Sequence, residues 1–242
     1  MPDAYQSLTE LAPGLAVRGI APPLRLADFR LIAFDMDATL GNIECIDEVA
    51  DVAGRGAEVA AITAAAMRGE ITDFKTSLRR RVAMLRGTTL AQLEEVRRER
   101  HRANPGAVEL LAACRAAGLK TLLVSGGFTF FAEPFAEKLG MDYVRANVLE
   151  MEGGVLTGRL LDQPWGDIVD GAQKRATLLE VCAQIGCAPQ QAIAVGDGAN
   201  DLPMMEAAGL SVGWHAKPRV RDYANVVIDE GGLDRLLEVV QP

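Results

Sequence analysis

The chain has 242 residues, of which 25 are Lys or Arg and 33 are Asp or Glu, so its formal net charge is −8. With 49% apolar and 24% charged residues, the composition excludes a disordered or collagen-like chain and is typical of a globular protein. The excess of acidic residues argues against a nucleic-acid partner, because phosphate backbones attract basic surfaces. The length predicts one large domain or a core with a smaller inserted unit.

The cellular compartment is predicted from three features of the sequence. The segment MPDAYQSLTELAPGL has no basic region followed by an apolar core, so no signal peptide is expected. No stretch reaches about 18 uninterrupted apolar residues, so no membrane span is expected. The spacing of the four cysteines fits neither paired CxxC motifs nor a dense disulfide frame, which favours reduced thiols and a cytoplasmic protein.

The predicted strands are short apolar runs. Residues 1–29 are interpreted as an N-terminal arm that leads into the first of them. Apolar runs bounded by turn signals are typical of buried parallel strands. These runs cover 31–34, 120–124 and 192–195, and later candidates lie at 210–212 and 226–228.

Helical patterns lie between the strands at 108–117 and 176–185, and each ends at a glycine. This alternation predicts an α/β fold with a Rossmann-like parallel sheet. A charged, Ala-rich stretch interrupts the alternation and predicts a small helical cap inserted after the first strand. The expected division is an arm at 1–29, a core at 30–44 and 105–242, and a cap at 45–104. Within the core, residues 142–162 alternate around two glycines and predict a β-hairpin.

Two pairs of acidic residues follow predicted strands. Asp35 and Asp37 follow the first strand, and Asp197 and Asp201 follow the strand at 192–195. Ligands of parallel α/β sheets bind at the carboxyl ends of the strands, so both pairs are expected at one edge. A carboxylate there serves as a nucleophile, a proton carrier or a ligand for Mg²⁺. Either pair alone also fits solvated loop acids, but two pairs at one edge would repel each other without a cation between them.

A glycine-rich segment and a lysine accompany these acids. Ser125, Gly126 and Gly127 follow a strand, where backbone N–H groups approach a phosphate closely. The same segment also fits a tight turn. Lys174 opens a helix, where the helix dipole disfavours a cation, so a paired anion is one explanation and a solvated lysine is the other. Together, the acids, the hydroxyl and the lysine are the groups that phosphoryl transfer requires.

The combined motifs resemble the haloacid dehalogenase superfamily and, within it, the phosphoserine phosphatases. The resemblance covers roughly residues 30–230. The matching segments are FDMDATL, ECIDE at 44–48, SLRRRV at 77–82, VSGGF at 124–128, GDIVDGAQK at 166–174 and GDGANDLPMMEAAGL at 196–210.

The resemblance implies Mg²⁺-dependent hydrolysis of L-phosphoserine through an aspartyl-phosphate, in serine biosynthesis. It makes Asp35 the nucleophile and Asp37 the acid and base. Mg²⁺ would be held by Asp35, Asp37 (through its backbone carbonyl), Asp197 and Asp201. The phosphoryl group would be held by Ser125, Gly126 and Lys174. The residues implied for the rest of the substrate are Glu44 for the amino group, Arg81 for the carboxylate, Met67 and Phe74 for packing, and Asn200 for positioning.

Alternatives remain at this point. One is a phosphatase or phosphotransferase of the same superfamily that acts on another small phosphorylated metabolite. Another is a phospho-accepting receiver of signalling systems, which also uses acids, a hydroxyl residue and a lysine but lacks a helical insert. The expected partner is a small-molecule phosphate ester, with neither nucleic acid nor membrane expected. The sequence does not fix the oligomeric state, and a homodimer is one state it allows.

Overall fold

The computed structural model describes residues 7–241, except for the side chain of Met67. The strands in that range are β1 (Thr9–Ala12), β2 (Leu15–Val17), β3 (Leu24–Arg25), β4 (Leu31–Phe34), β5 (Lys120–Phe128), β6 (Tyr143–Glu152), β7 (Val155–Leu161), β8 (Ala192–Gly196), β9 (Leu210–Trp214), β10 (Val226–Ile228) and β11 (Val240–Gln241). The α-helices are α1 (Cys45–Val52), α2 (Gly56–Met67), α3 (Phe74–Met84), α4 (Leu90–Glu95), α5 (Ala107–Ala116), α6 (Thr129–Leu139), α7 (Gly171–Ile185), α8 (Leu202–Ala207) and α9 (Pro218–Arg221).

A mainly parallel sheet forms the centre of the molecule. Over residues 7–241 it has nine strands in the order β1-β2-β10-β9-β8-β4-β5-β6-β7. The strands from β10 to β6 in that order are parallel to their neighbours, and β1, β2 and β7 join antiparallel at the two sides. The predicted α/β fold with a Rossmann-like parallel sheet is confirmed.

The N-terminal segment differs from the prediction of an arm. Strands β1 and β2 pair antiparallel, and β2 continues the sheet by pairing with β10. All three residues of β2 are buried. The sequence does not signal this strand because three apolar residues are too few to show a period, and the partner strand lies about 200 residues away in the chain.

Strands β4 and β8 end almost level with each other, which aligns the residues that follow them. Phe34 at the end of β4 lies opposite Leu123 of β5 and Val195 of β8. Side chains alternate across the sheet: Ile32 and Phe34 belong to the core shared with α5 and α6, whereas β4 residues on the other side pack towards α7 and α8. Helices therefore cover both faces of the sheet.

The helices α1 to α4 lie between β4 and the core helix α5, where the sequence predicts an insert. Helix α2 packs against α1 and α3, and α3 packs against β7. The hairpin predicted at 142–162 is confirmed as β6 and β7, and it meets this helical segment directly. The N–H of Gly87 donates to the carbonyl of Leu156 at 2.9 Å, and the N–H of Leu156 donates to the carbonyl of Thr88 at 2.8 Å.

The chain enters the helical segment after residue 41 and leaves it near residue 103, and these two connections contact each other. Gly41 forms a bridge with Ala103, and the side chain of Asn104 donates to the carbonyls of Thr39 and Gly41. His101, which follows a run of charged residues, is only 6% exposed. The charged helical stretch ends at Arg100, and His101 turns inward against aromatic side chains of α6.

Two further observations concern membrane-spanning helices and cysteines. Within residues 7–241, no helix is both long enough and apolar enough to cross a membrane. All four cysteines are free thiols, and Cys45, Cys114 and Cys182 are buried.

Candidate active site

Three aspartates meet where β4 and β8 end. Asp35 follows β4, while Asp197 and Asp201 follow β8, and all three are buried. Each offers a carboxylate oxygen within 4.8 Å of the others. Three carboxylates gathered in a buried place repel one another unless positive charge joins them. Oxygen ligands of this type suit a hard divalent cation, so the donor set fits a metal ion.

Lys174 is the cation already among these acids. Its ammonium, which is fully buried, lies 2.7 Å from Asp35 Oδ1 and 2.7 Å from Asp201 Oδ1. Burial lowers the pKa of Lys174, but the charges of Asp201 and Asp35 outweigh burial and hold it above its ordinary value. The helix α7 that carries it begins at Gly171, five residues before the predicted start, because Asp170 caps the helix by accepting from the N–H of Gln173.

Asp201 is held by backbone as well as by Lys174. Its Oδ2 accepts from the N–H groups of Asp197 at 3.1 Å and Gly198 at 3.0 Å. A Cβ at Gly196 would lie 2.4 Å from the Asp201 carboxylate, so only glycine allows this close approach. The GDGAND segment, residues 196–201, is thus a turn whose backbone N–H groups bind the carboxylate of Asp201.

Asp35 and Asp37 have raised pKa values. Burial raises the pKa of Asp35, the charge of Asp201 adds to the effect, and Lys174 opposes it. Burial also raises the pKa of Asp37, opposed by its hydrogen bond with Cys45, whose N–H donates to Asp37 Oδ1 at 3.3 Å. A raised pKa at Asp37 favours the protonated form, which is the form a general acid requires.

The glycine-rich segment lies directly beside these acids. Ser125 is buried, and its Oγ accepts from the N–H of Gly127 at 2.8 Å. A Cβ at Gly127 would lie 2.7 Å from Asp37 Oδ2, and one at Gly126 would lie 3.1 Å from the ring of Phe74. The segment continues β5 instead of forming the separate turn that the alternative interpretation requires.

A cavity of about 270 Å³ extends from the acids to the helical segment. The predicted site residues that line it are Asp35, Asp37, Glu44, Phe74, Arg81, Gly126, Asp197 and Asn200. Three others, Ser125, Lys174 and Asp201, are fully buried beside the lining. Met67 ends α2, but its side chain lies outside the described part of the chain.

Glu44 and Arg81 bring opposite charges to the lining of this cavity. Burial, followed by the charge of Asp37, raises the pKa of Glu44 to about 7. Arg81 lines the same cavity from α3, and its buried Nε has no hydrogen-bond partner among the described residues. An acid and a guanidinium in one small cavity match a ligand that carries both an ammonium and a carboxylate.

Lys217 is a lining residue that the sequence analysis did not identify. Its ammonium lies 2.9 Å from Asp197 Oδ2. It follows β9, which ends at the same sheet edge as the acids, but a single lysine after a short apolar run gives no distinct signal in the sequence. His215, two residues earlier, is exposed and is not among the residues that line the cavity.

The fold and the site together define a phosphoryl-transfer hydrolase of the α/β class. Residues 32–206 match the family model of haloacid dehalogenase-like hydrolases. A phosphoserine phosphatase from Albidiferax ferrireducens is 68% identical over 234 residues, which span 97% of this chain and 99% of the relative. The chain belongs to the haloacid dehalogenase-like hydrolase family. The receiver alternative does not account for this match or for the helices between β4 and α5.

Two solved structures extend the comparison. A HAD family hydrolase from Salmonella enterica aligns with a TM-score of 0.83 and 38% identity, over 90% of this chain and 72% of that chain. A phosphoserine phosphatase with a phospho-aspartyl intermediate analogue aligns with a TM-score of 0.80 and 36% identity, over 88% of this chain and 99% of that one.

Proposed function

We propose that the chain hydrolyses L-phosphoserine to L-serine and inorganic phosphate with Mg²⁺, as an enzyme of serine biosynthesis in the cytoplasm. One observation carries this proposal: a single cavity is lined both by the phosphoryl-transfer acids Asp35, Asp37 and Asp197 and by Glu44 and Arg81. Phosphoserine has a phosphate at one end and an ammonium and a carboxylate at the other. The name of the relative from Albidiferax ferrireducens supports the same substrate.

The first half-reaction uses Asp35 and Asp37. Asp35 Oδ1 accepts from the N–H of Met36 and contacts Lys174, so Oδ2 is the oxygen that attacks phosphorus. The bond from phosphorus to the serine oxygen breaks, and the Asp37 carboxyl gives its proton to that oxygen. The products of this step are L-serine and an acyl phosphate on Asp35.

The second half-reaction reverses the role of Asp37. Its carboxylate takes a proton from water, the water oxygen attacks phosphorus, and the bond from phosphorus to Asp35 breaks. Ser125, the N–H of Gly126 and Lys174 hold the phosphoryl oxygens during both steps. Phosphate leaves, and Asp37 is again protonated for the next turnover.

The buried acids fit a bound metal ion. We assign Mg²⁺ to Asp35, Asp197, Asp201 and the backbone carbonyl of Asp37. When bound, Mg²⁺ neutralises charge on the phosphoryl oxygens. The chain's own contribution is to hold three carboxylates together with Lys174 as their internal counter-charge.

The residues over the cavity supply substrate selection. Residues 45–104 form the cap in this proposal, with Glu44 at its start accepting from the substrate ammonium. Arg81 binds the carboxylate, Phe74 encloses the serine carbon atoms, and Asn200 positions the phosphate end.

The test measures phosphate release from L-phosphoserine, phosphoethanolamine and an aryl phosphate, with Mg²⁺ and with a chelator. We expect the highest kcat/KM for phosphoserine and loss of release with chelator. Arg81→Ala should reduce kcat/KM for phosphoserine far more than for the aryl phosphate. Arg80→Ala is the matched control, since Arg80 is an exposed neighbour on the same helix. Wild-type activity on the aryl phosphate alone would contradict the proposed substrate.

A further inference from the structure

Thr63 is a second polar side chain of the cavity that lacks a partner. It lies on α2, and its Oγ1 is buried with no hydrogen-bond partner among the described residues. Buried hydroxyls normally find a partner, because leaving one unpaired costs about 1–3 kcal/mol. Thr63 does not make the bond to the carbonyl four residues earlier that a helical threonine often makes.

Thr63 and Arg81, whose buried polar atoms lack hydrogen-bond partners, line the same cavity. Over the described residues, buried side-chain atoms without a partner are found on Arg18, Thr63, Arg81 and His101. Only Thr63 and Arg81 of these four line the cavity, and they reach it from the neighbouring helices α2 and α3. Both also line a second, adjoining cavity, which shares Phe74, Asn200 and Lys217 with the first.

The chemistry of the two atoms defines the missing partner. Arg81 Nε can only donate, and the hydroxyl of Thr63 can donate as well. One group that satisfies both must accept two hydrogen bonds, as the two oxygens of a carboxylate do. A substrate ammonium cannot pair with Arg81, and the acids Glu44 and Asp47 line the same cavity to receive it.

We propose that Thr63 is a specificity-determining residue whose hydroxyl donates a hydrogen bond to the substrate carboxylate beside Arg81. This inference rests on the proposed function, because it requires a substrate with a carboxylate. It assigns carboxylate recognition to two helices instead of one. The hydroxyl of Thr63 then remains unpaired without substrate and becomes paired when substrate binds.

Thr63→Val tests this role, since valine keeps the shape and removes the hydroxyl. A hydrogen bond to a charged group contributes to the free energy of substrate binding. Its loss should therefore lower kcat/KM for L-phosphoserine by about 10- to 100-fold. Most of the loss should appear in KM, because the contact is present in the bound substrate as well as in the transition state. Phosphoethanolamine lacks the carboxylate, so its kcat/KM should not change.

Two further variants separate this role from a structural one. Thr63→Ser keeps the hydroxyl and should keep the preference for phosphoserine over phosphoethanolamine. Thr63→Val removes an unpaired buried hydroxyl, so its Tm without substrate should not fall below that of the wild type. If the valine variant does not fold, Thr63→Ala should show the same loss confined to phosphoserine.

The outcomes distinguish this inference from the proposed function. If the wild type prefers phosphoserine but Thr63→Val loses activity equally on both esters, or on neither, Thr63 does not bind the carboxylate and the proposed function stands. If the wild type does not prefer phosphoserine over phosphoethanolamine, the proposed function fails and the role of Thr63 fails with it.

Discussion

Replacing Lys174 with methionine should destabilise the protein strongly. Methionine keeps much of the length and apolar volume of the side chain but removes the charge. The ammonium of Lys174 is buried at 2.7 Å from both Asp35 and Asp201, so its loss leaves two buried carboxylates without their internal cation. Breaking a buried ion pair by removing one partner costs about 3–5 kcal/mol.

This magnitude is large enough to measure by thermal unfolding. For a chain of this size, each kcal/mol shifts Tm by about 2–4 °C, so Lys174→Met should lower Tm by about 6–20 °C. The melts are recorded at pH 7 with a chelator, so that no added metal ion replaces the missing charge.

Lys75→Met is the matched control. Lys75 is 33% exposed and lies 2.9 Å from Asp167, which is 36% exposed. An ion pair that is exposed to this degree contributes about 0–1 kcal/mol to the free energy of unfolding, so Lys75→Met should lower Tm only slightly. Equal Tm values for the Lys174 and Lys75 variants would refute the reasoning that the buried acids depend on Lys174.

Three further predictions concern activity and pH. Asp35→Asn should abolish phosphate release, because it removes the attacking oxygen. It should leave Tm close to that of the wild type, because burial and Asp201 disfavour a charge at position 35 and Lys174 stays paired with Asp201. The pKa of Glu44 is raised to about 7, so the folded state favours its protonated form. The stability that this contributes is complete below about pH 4.5 and is lost as pH rises through 7. Glu44→Gln should therefore have a free energy of unfolding about 1–3 kcal/mol higher than that of the wild type at pH 8. Burial, followed by the charges of Arg102 and Lys138, lowers the pKa of His101 to about 4, so stability should fall as pH decreases from about 6.5 to 4, and less so in His101→Leu.

Each of these predictions has a result that contradicts it. Substantial phosphate release by Asp35→Asn would exclude the proposed nucleophile. Parallel stability curves for the wild type and Glu44→Gln between pH 5 and 8, from denaturant unfolding, would show that Glu44 does not titrate in that range. Acid unfolding of His101→Leu at the same pH as the wild type would assign the acid sensitivity to other groups.

The arrangement of the acids could be predicted because it depends on strand ends. Asp35 and Asp197 each follow a short apolar run, and parallel strands in register place the residues after them side by side. The same logic extends to Lys217 after β9, but a single lysine after a weak apolar run gives no distinct signal. Its role became visible only through its distance to Asp197.

The contacts between distant segments could not be predicted from local patterns. His101 lies in a charged stretch, yet its ring packs against Phe135 with 4.3 Å between the ring centroids. The hairpin of β6 and β7 was predicted from its alternation, but its hydrogen bonds to residues 87–90 depend on tertiary packing. Thr63 likewise appears as an ordinary helical residue until its unpaired hydroxyl is seen in the cavity.

The most direct test of the account is to trap the phosphorylated enzyme during turnover of L-phosphoserine. The reaction is stopped with acid after a few milliseconds, the protein is digested, and the peptide that carries phosphoryl label is sequenced. The account predicts an acyl phosphate on Asp35, sensitive to borohydride reduction and absent from Asp35→Asn. Label on any other residue, or phosphate release from L-phosphoserine by an enzyme that never becomes labelled, would contradict it.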